Sequence, residues 1–354
     1  MRGDDSLGIE EETLAILNKA MDMGVSDVHM LPKKERYSIL FRVNGQLQMV
    51  TCKDLAWGSQ CISYLKFLAD MDVGEKRKPQ SGSATMTIAQ GTVELRFSTI
   101  TNFQWQESLV IRILKQETSH ARSLHTIFPQ DINSIEQLIR RKSGMILFSG
   151  PVGSGKTTTI YQLLQSRMHQ EPLQVITMED PVEIYEPAFL QTQVNEKAGI
   201  TYDSLIKASL RHHPDVLMIG EIRDEETARM VVRGALTGHL IIATIHAKNS
   251  MGVIARLEEL SISSQQLQQT LIGVVSQRLL PLYCPFCEGI CHQYCCHFPS
   301  ARKRASVMEV LCGDALTNYW QKQEVTYPTI NDVLRKAWAY GFISEKTYQH
   351  FEVV

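Results

Sequence analysis

MILFSGPVGSGKTTTIYQLLQSRM, Met145 to Met168, is the stretch that decides the fold. MILFS is a continuous apolar run, as expected of a strand buried on both faces of a parallel sheet. GPVGSGKT, Gly150 to Thr157, fits G-x-x-x-x-G-K-[ST]. TTTIYQLLQSRM then reads as a helix. In that order the loop is a phosphate cradle. Its glycines let backbone N–H groups curl around phosphate oxygens. Gly150, Pro151, Val152, Gly153, Ser154, Gly155, Lys156, Thr157 and Thr158 are the candidate nucleotide contacts. Lys156 can reach the β and γ phosphates, Thr157 offers a hydroxyl to Mg²⁺, and the helix N-terminus adds its dipole.

Working outward, SIEQLIRRKSG precedes the strand as a helix. VITMED, DVLMIGEI and HLIIATIH follow as strands, separated by the helical DSLIKASLRHH and EETARMVVRGALTG. Alternating β and α units predict an α/β core with a parallel sheet over residues 131–248. Residues 1–117 read differently. Leu14, Leu17 and Met21 keep helical spacing up to Gly24. YSILFRV and QLQMV flank a hairpin turn at Asn44-Gly45. A helix around SYLKFLADM and the strands SATMTIA, TVELRFSTI and SLVIRIL complete a small α+β domain. Residues 118–130 form a polar linker. Beyond Asn249 no strand is expected. NSMGVIARLEEL, SSQQLQQTLIGVVSQRLL, TINDVLRKAWAYG and SEKTYQHF read as a helical region, 249–354, interrupted by a cysteine-rich loop at 284–297.

Acidic residues cluster after two strands. ITMEDPVE carries Glu179, Asp180 and Glu183; DVLMIGEIRD carries Asp215, Glu221 and Asp224. In a parallel sheet the carboxyl ends of strands face the ligand crevice, where carboxylates can hold Mg²⁺ through water or orient an attacking water. His239 and His246 bracket one strand, seven residues apart, so they point to opposite faces and cannot share a role. His246, at the carboxyl end, is placed to sense the γ-phosphate. His239 reads as a loop or core residue.

The chain has 354 residues, 44% hydrophobic and 21% charged, with a net charge of −2. That charge makes no bulk case for nucleic-acid binding. The acidic start MRGDDSLGIEEE lacks the apolar core of a secretory signal. No apolar run approaches the roughly 20 residues of a membrane span. A cytoplasmic setting with reduced thiols is the expectation.

Together the motifs resemble the secretion and type IV pilus assembly ATPases. GPVGSGKTTT is similar to that family's phosphate loop, ITMEDPVEI to its Asp box, LRHHPDVLMIGEIRD to its second acidic box, and TGHLIIATIHAKNS to its His box. SDVHMLP and FRVNGQL resemble its N-terminal domain, and ELRFST and LVIRIL its arginine strands. The resemblance runs from about residue 10 to 312. It implies a RecA-like motor, a PAS-like N-terminal domain and a homo-hexameric ring. It implies ATP with Mg²⁺ bound at Lys156 and Thr157, and Glu183 as the catalytic glutamate. It also implies Glu221 holding Mg²⁺ through water, and Arg96 and Arg112 neutralising transition-state charge. The implied partner is a polytopic inner-membrane assembly protein, met at the cytoplasmic face of the membrane, with no direct sequence-specific nucleic-acid binding. Val152 stands where many members have threonine, and His212 and His213 where polar or acidic residues are usual.

Within the family, retraction motors are similarly short but lack a cysteine region. A short chain with a compact cysteine loop most resembles the members that assemble a competence pseudopilus for DNA uptake. A DNA translocase or helicase would share the motor core, but the acidic balance and the lack of an aromatic-basic strand-binding face argue against it. A scaffold with a decayed site conflicts with intact Lys156, Thr157, Glu183 and Glu221.

CPFCEGICHQYCCH, Cys284 to His297, stays open. Its C-x2-C half, Cys284 and Cys287, suits zinc. The second half has Cys291 with Cys295 or Cys296, or a histidine from His292 and His297. Free thiols or a redox pair are the alternatives.

Overall fold

The computed structural model describes residues 8–43, 45–89, 91–114, 124–291, 295, 297–298 and 303–353, with Lys197 described by its backbone alone. Asn44 of the expected turn, His292, Cys296 and residues 118–123 of the expected linker lie outside the described residues. The chain divides into two units, Met1–Glu117 and Thr118–Val354.

The first unit contains α1 (Ile9–Asp22), β1 (Asp27–Pro32), β2 (Arg36–Val43), β3 (Gln46–Asp54), α2 (Leu55–Leu68), β4 (Gln80–Ile88), β5 (Gly91–Thr101) and β6 (Glu107–Leu114). Its six strands form one antiparallel sheet, ordered β3-β2-β1-β6-β5-β4. The two-residue period sorts the side chains. Val93, Leu95 and Phe97 of β5 face a core shared with Leu17 and Ala20 of α1 and Ile62 and Leu65 of α2. Glu94, Arg96 and Ser98 take the other face. β1 escaped the sequence reading because DVHMLP mixes an acid, a histidine and a proline into a short segment. Lys66, in the last turn of α2, is buried, and its ammonium donates to Glu107 Oε1 at 2.8 Å and to the Glu75 carbonyl at 2.7 Å. These two acceptors offset the cost of burying the charge.

The second unit contains α3 (Pro129–Ile139), β7 (Gly144–Ser149), α4 (Lys156–Met168), β8 (Val175–Glu179), β9 (Leu190–Gln193), α5 (Tyr202–Ser209), β10 (Val216–Ile222), α6 (Glu225–Leu236), β11 (Leu240–Ile245), α7 (Ser250–Glu259), α8 (Ser264–Thr270) and β12 (Leu271–Pro281). Then come β13 (Tyr283–Cys284), β14 (Gly289–Ile290), β15 (Arg304–Cys312), α9 (Gly313–Trp320), α10 (Ile330–Ala339) and α11 (Glu345–Phe351). The main sheet has seven strands, ordered β15-β12-β7-β11-β10-β8-β9. β15 runs antiparallel to β12, and every other pair is parallel. Successive residues of β7 feed two cores. Met145 and Leu147 pack with α6 and α7; Ile146 and Phe148 pack with α3 and α4. Each such side chain stabilises the fold by about 1.5–3 kcal/mol when fully buried.

The expected helical region 249–354 requires correction. α7, α8, α10 and α11 are helical, but Leu271–Pro281 and Arg304–Cys312 are strands of the main sheet. The run LIGVVSQRLL carries apolar residues at helical spacing, which misleads. Its Ile272, Val274 and Val275 are β-branched, and a central strand covered on both faces has no alternation to betray it. The break falls where α8, capped by Ser263 through the Gln266 N–H, ends and Leu271 turns extended. The second half of the expected linker is also placed: Ile127 N–H donates to the Ser306 carbonyl at 2.9 Å, alongside β15.

Candidate functional site

The phosphate loop leaves the carboxyl end of β7 and opens α4. Gly150, Gly153 and Gly155 have φ of 143°, 76° and 83°, a region that favours glycine. Gly150 has a second constraint: a Cβ there would lie 2.3 Å from the Gln277 carbonyl oxygen. Lys156 folds back on the loop, its Nζ donating to the carbonyls of Gly150 at 2.9 Å and Pro151 at 3.2 Å. Burial lowers its pKa, while the nearby carboxylates of Glu221 and Glu183 act in the opposite direction. Val152 points into solvent, 80% exposed, so its departure from threonine meets no neighbour.

Glu221 lies near the end of β10. Its Oε2 accepts from Arg223 Nε at 2.6 Å, and its Oε1 is 2.9 Å from His246 Nε2 in the loop after β11. Arg223 also reaches Asp180 Oδ2 at 3.0 Å, joining the two acidic strand ends. Glu183 is exposed, in the loop between β8 and β9. Glu179 is buried at the end of β8. It accepts from Tyr161 Oη at 2.5 Å and Thr177 Oγ1 at 2.8 Å, and burial raises its pKa. Asp215 does not join them. It precedes β10, at the opposite end of the sheet, and accepts from Gln174 N–H at 2.8 Å. Asp224 caps α6 through Thr227 N–H, and His239 stays local, 3.2 Å from Thr237 Oγ1.

In the first unit, strand register places Arg42, Asp27, Arg112 and Arg96 in one transverse row on the face away from the core. Arg112 Nε donates to Asp27 Oδ1 at 3.1 Å, and Arg96 lies 4.0 Å from Glu94. Asp27, which the sequence reading did not single out, orients Arg112.

The cysteine loop is folded around its thiols. Ligand atoms of Cys284, Cys287, Cys291, Cys295 and His297 all lie within 4.8 Å of one another. His297 Nδ1 is 2.9 Å from Cys295 Sγ and 3.5 Å from the sulfurs of both Cys284 and Cys287. A zinc tetrahedron with bonds of roughly 2.3 Å has edges near 3.8 Å, so the donor set and its spacing fit zinc.

Sequence reasoning missed Gln277, Arg278, Arg223 and Tyr161. The signal for the first two was a polar pair inside an apolar run, SQRLLP, hidden by the helical reading.

A glycine loop between a central parallel strand and a helix, with acidic strand ends beside its lysine, defines a phosphate-loop nucleotide-binding protein. The chain belongs to the type II/IV secretion system protein family, whose model matches residues 3–346. It is 38% identical over 348 residues to competence protein ComGA of Bacillus subtilis (strain 168), covering 97% of this chain and 98% of that one. It is 36% identical over 290 residues to the type II secretion system ATPase E of Vibrio cholerae, covering 81% of this chain and 57% of that one. Its fold matches the Legionella pneumophila ATPase DotB with a TM-score of 0.74 at 16% identity, covering 99% of this chain and 97% of that one.

Proposed function

We propose that this chain is an ATPase of the secretion and pilus-motor class that powers assembly of a competence pseudopilus for DNA uptake. The observation that carries the reading is the glycine loop between β7 and α4, with Lys156 hydrogen-bonded to its carbonyls, in a chain that matches a competence protein nearly end to end. The bound nucleotide is ATP. Thr157 and Glu221 supply the oxygen donors that suit Mg²⁺, which would offset phosphate charge. Glu183 orients or deprotonates the attacking water. Lys156 holds the phosphates, and His246, tied to Glu221, senses the γ-phosphate. Positioning and electrostatics supply most of the catalysis.

The second unit is the RecA-like motor, and the first corresponds to the PAS-like domain. The working form is a homo-hexamer at the cytoplasmic face of the membrane, bound to a polytopic inner-membrane assembly protein. No described helix is long and apolar enough to cross a membrane, so attachment rests on that partner. In the ring, Arg96 and Arg112 neutralise charge on the transferred phosphoryl group. Arg112→Ala is expected to lower turnover of the ring about tenfold while leaving nucleotide binding by the monomer intact. A monomer that hydrolyses ATP at the full ring rate sinks this role.

The reading is tested by capturing the tagged chain from native membranes and assaying the catch for phosphate release. A membrane protein co-purifying with ATP-dependent activity supports it. Stimulation by single-stranded DNA alone would favour a translocase.

The cysteine loop is a zinc staple. Four of the five donors bind, and Cys284 and Cys287 are in any set. Protein purified without chelator should carry about one zinc per chain, falling below a tenth in Cys284→Ser. Less than roughly half an equivalent in the wild type rules the staple out.

A further inference from the structure

β12 runs past the end of β7 and lies along the phosphate loop. Its Gln277 is buried, and the side-chain Nε2 donates to the carbonyl of Ser154, inside the loop, at 2.7 Å. The Gln277 carbonyl meets Gly150 where a Cβ would collide. The same carbonyl accepts from Arg278 Nη1 at 3.1 Å, and Arg278 Nη2 donates to the carbonyl of Lys248. Lys248 lies two residues after His246, which pairs with Glu221. One strand therefore holds the phosphate loop by an amide and the His246 loop by a guanidinium fork. Gln277 Oε1 and Ser154 Oγ remain buried without partners among the described residues.

We infer that Gln277 and Arg278 are positioning residues for ATP hydrolysis: Gln277 sets the phosphate loop for nucleotide, and Arg278 sets the His246–Glu221 pair against it. The inference rests on the ATPase reading above. Arg278 suits the task because its planar fork aims a separate nitrogen at each carbonyl in a fixed geometry, where a lysine offers one rotating ammonium. Misplacing a catalytic group by about an ångström can cost about 100-fold in rate, so loss of one tether has a measurable effect without unfolding the sheet.

The test uses the full chain and ATP with Mg²⁺. Gln277→Met keeps volume and removes the donor; it should raise the KM for ATP about tenfold, as for one lost hydrogen bond to a loop under load. Arg278→Lys keeps the charge and removes the fork. It should lower kcat about tenfold with KM little changed, and in a His246→Ala background it should cost less than about twofold, because the two act through one element. A merely structural role predicts a lower melting temperature and equal cost in both backgrounds. Equal cost, or an unchanged KM in a folded Gln277→Met, overturns the inference. If the wild type itself neither binds nor hydrolyses ATP, the ATPase reading fails, and this one with it. If the wild type turns over and only the variants behave as wild type, the ATPase reading stands and the strap alone is wrong.

Discussion

Glu183→Gln is expected to bind ATP within about threefold of wild type and to lose about 10²- to 10⁴-fold in turnover, the usual contribution of a positioned general base. The amide keeps the size and hydrogen-bonding reach of the carboxylate and removes its basicity. Binding should survive because the phosphate loop, Lys156 and Glu221 are untouched. The loop carrying Glu183 should also hold its place. Its anchors lie on either side: Val182 N–H donates to Gln193 Oε1 at 3.3 Å and Glu186 N–H to Gln191 Oε1 at 2.8 Å. Phosphate release and equilibrium binding of a fluorescent ATP analogue, measured on the same preparation, separate the two quantities. Near-normal turnover would remove Glu183 from the mechanism. Loss of both quantities together would mean that the substitution disturbed the loop instead.

Lys156→Ala should weaken ATP binding by about 100-fold or more. A charge-assisted hydrogen bond is worth about 1.5–3 kcal/mol, and an ammonium between two phosphates makes at least one. The ammonium also balances Glu221 and Glu183. Without it two carboxylates face a polyanion with only Mg²⁺ between them. Lys156 also donates to the carbonyls of Gly150 and Pro151, so its removal loosens the loop itself. Melting temperature should change little, since no buried apolar contact is lost. Unchanged affinity would count against the whole phosphate-loop reading.

Much of this was legible in the chain. Gly150 to Thr157 is a local pattern, and its physics is local: positive φ, a helix N-terminus, one lysine. The strands β7, β8, β10 and β11 showed as apolar runs between helices, and Glu183, Glu221 and His246 followed from lying at their carboxyl ends. What stayed hidden depended on distant partners. Leu271–Pro281 could be recognised as a strand only from its neighbours β7 and β15. Gln277 and Arg278 gained meaning only once that strand lay beside the phosphate loop. Asp215 opens the run DVLMIGEI, so its place at the amino end of β10 was legible; grouping it with Glu221 passed over the direction of the strand. Asp27 was missed with β1, whose mixed composition carries no periodic signal. The ligand set of the cysteine loop depends on how a chain of few residues folds around a metal, which spacing alone leaves open.

The place of β12 next to β7 also dictates how the motor can be made and cut. Ser149 and Ser276 share a hydrogen bond across 127 residues of sequence. The central strand therefore has a bare edge until the ribosome has delivered the segment after α8. A nascent chain ending at residue 248 would present unpaired backbone N–H and C=O groups on its most apolar strand, an open template for aggregation. Fragments meant to isolate the catalytic core must run through Cys312, and any stall in synthesis before that point exposes the one strand the cell has most reason to shield.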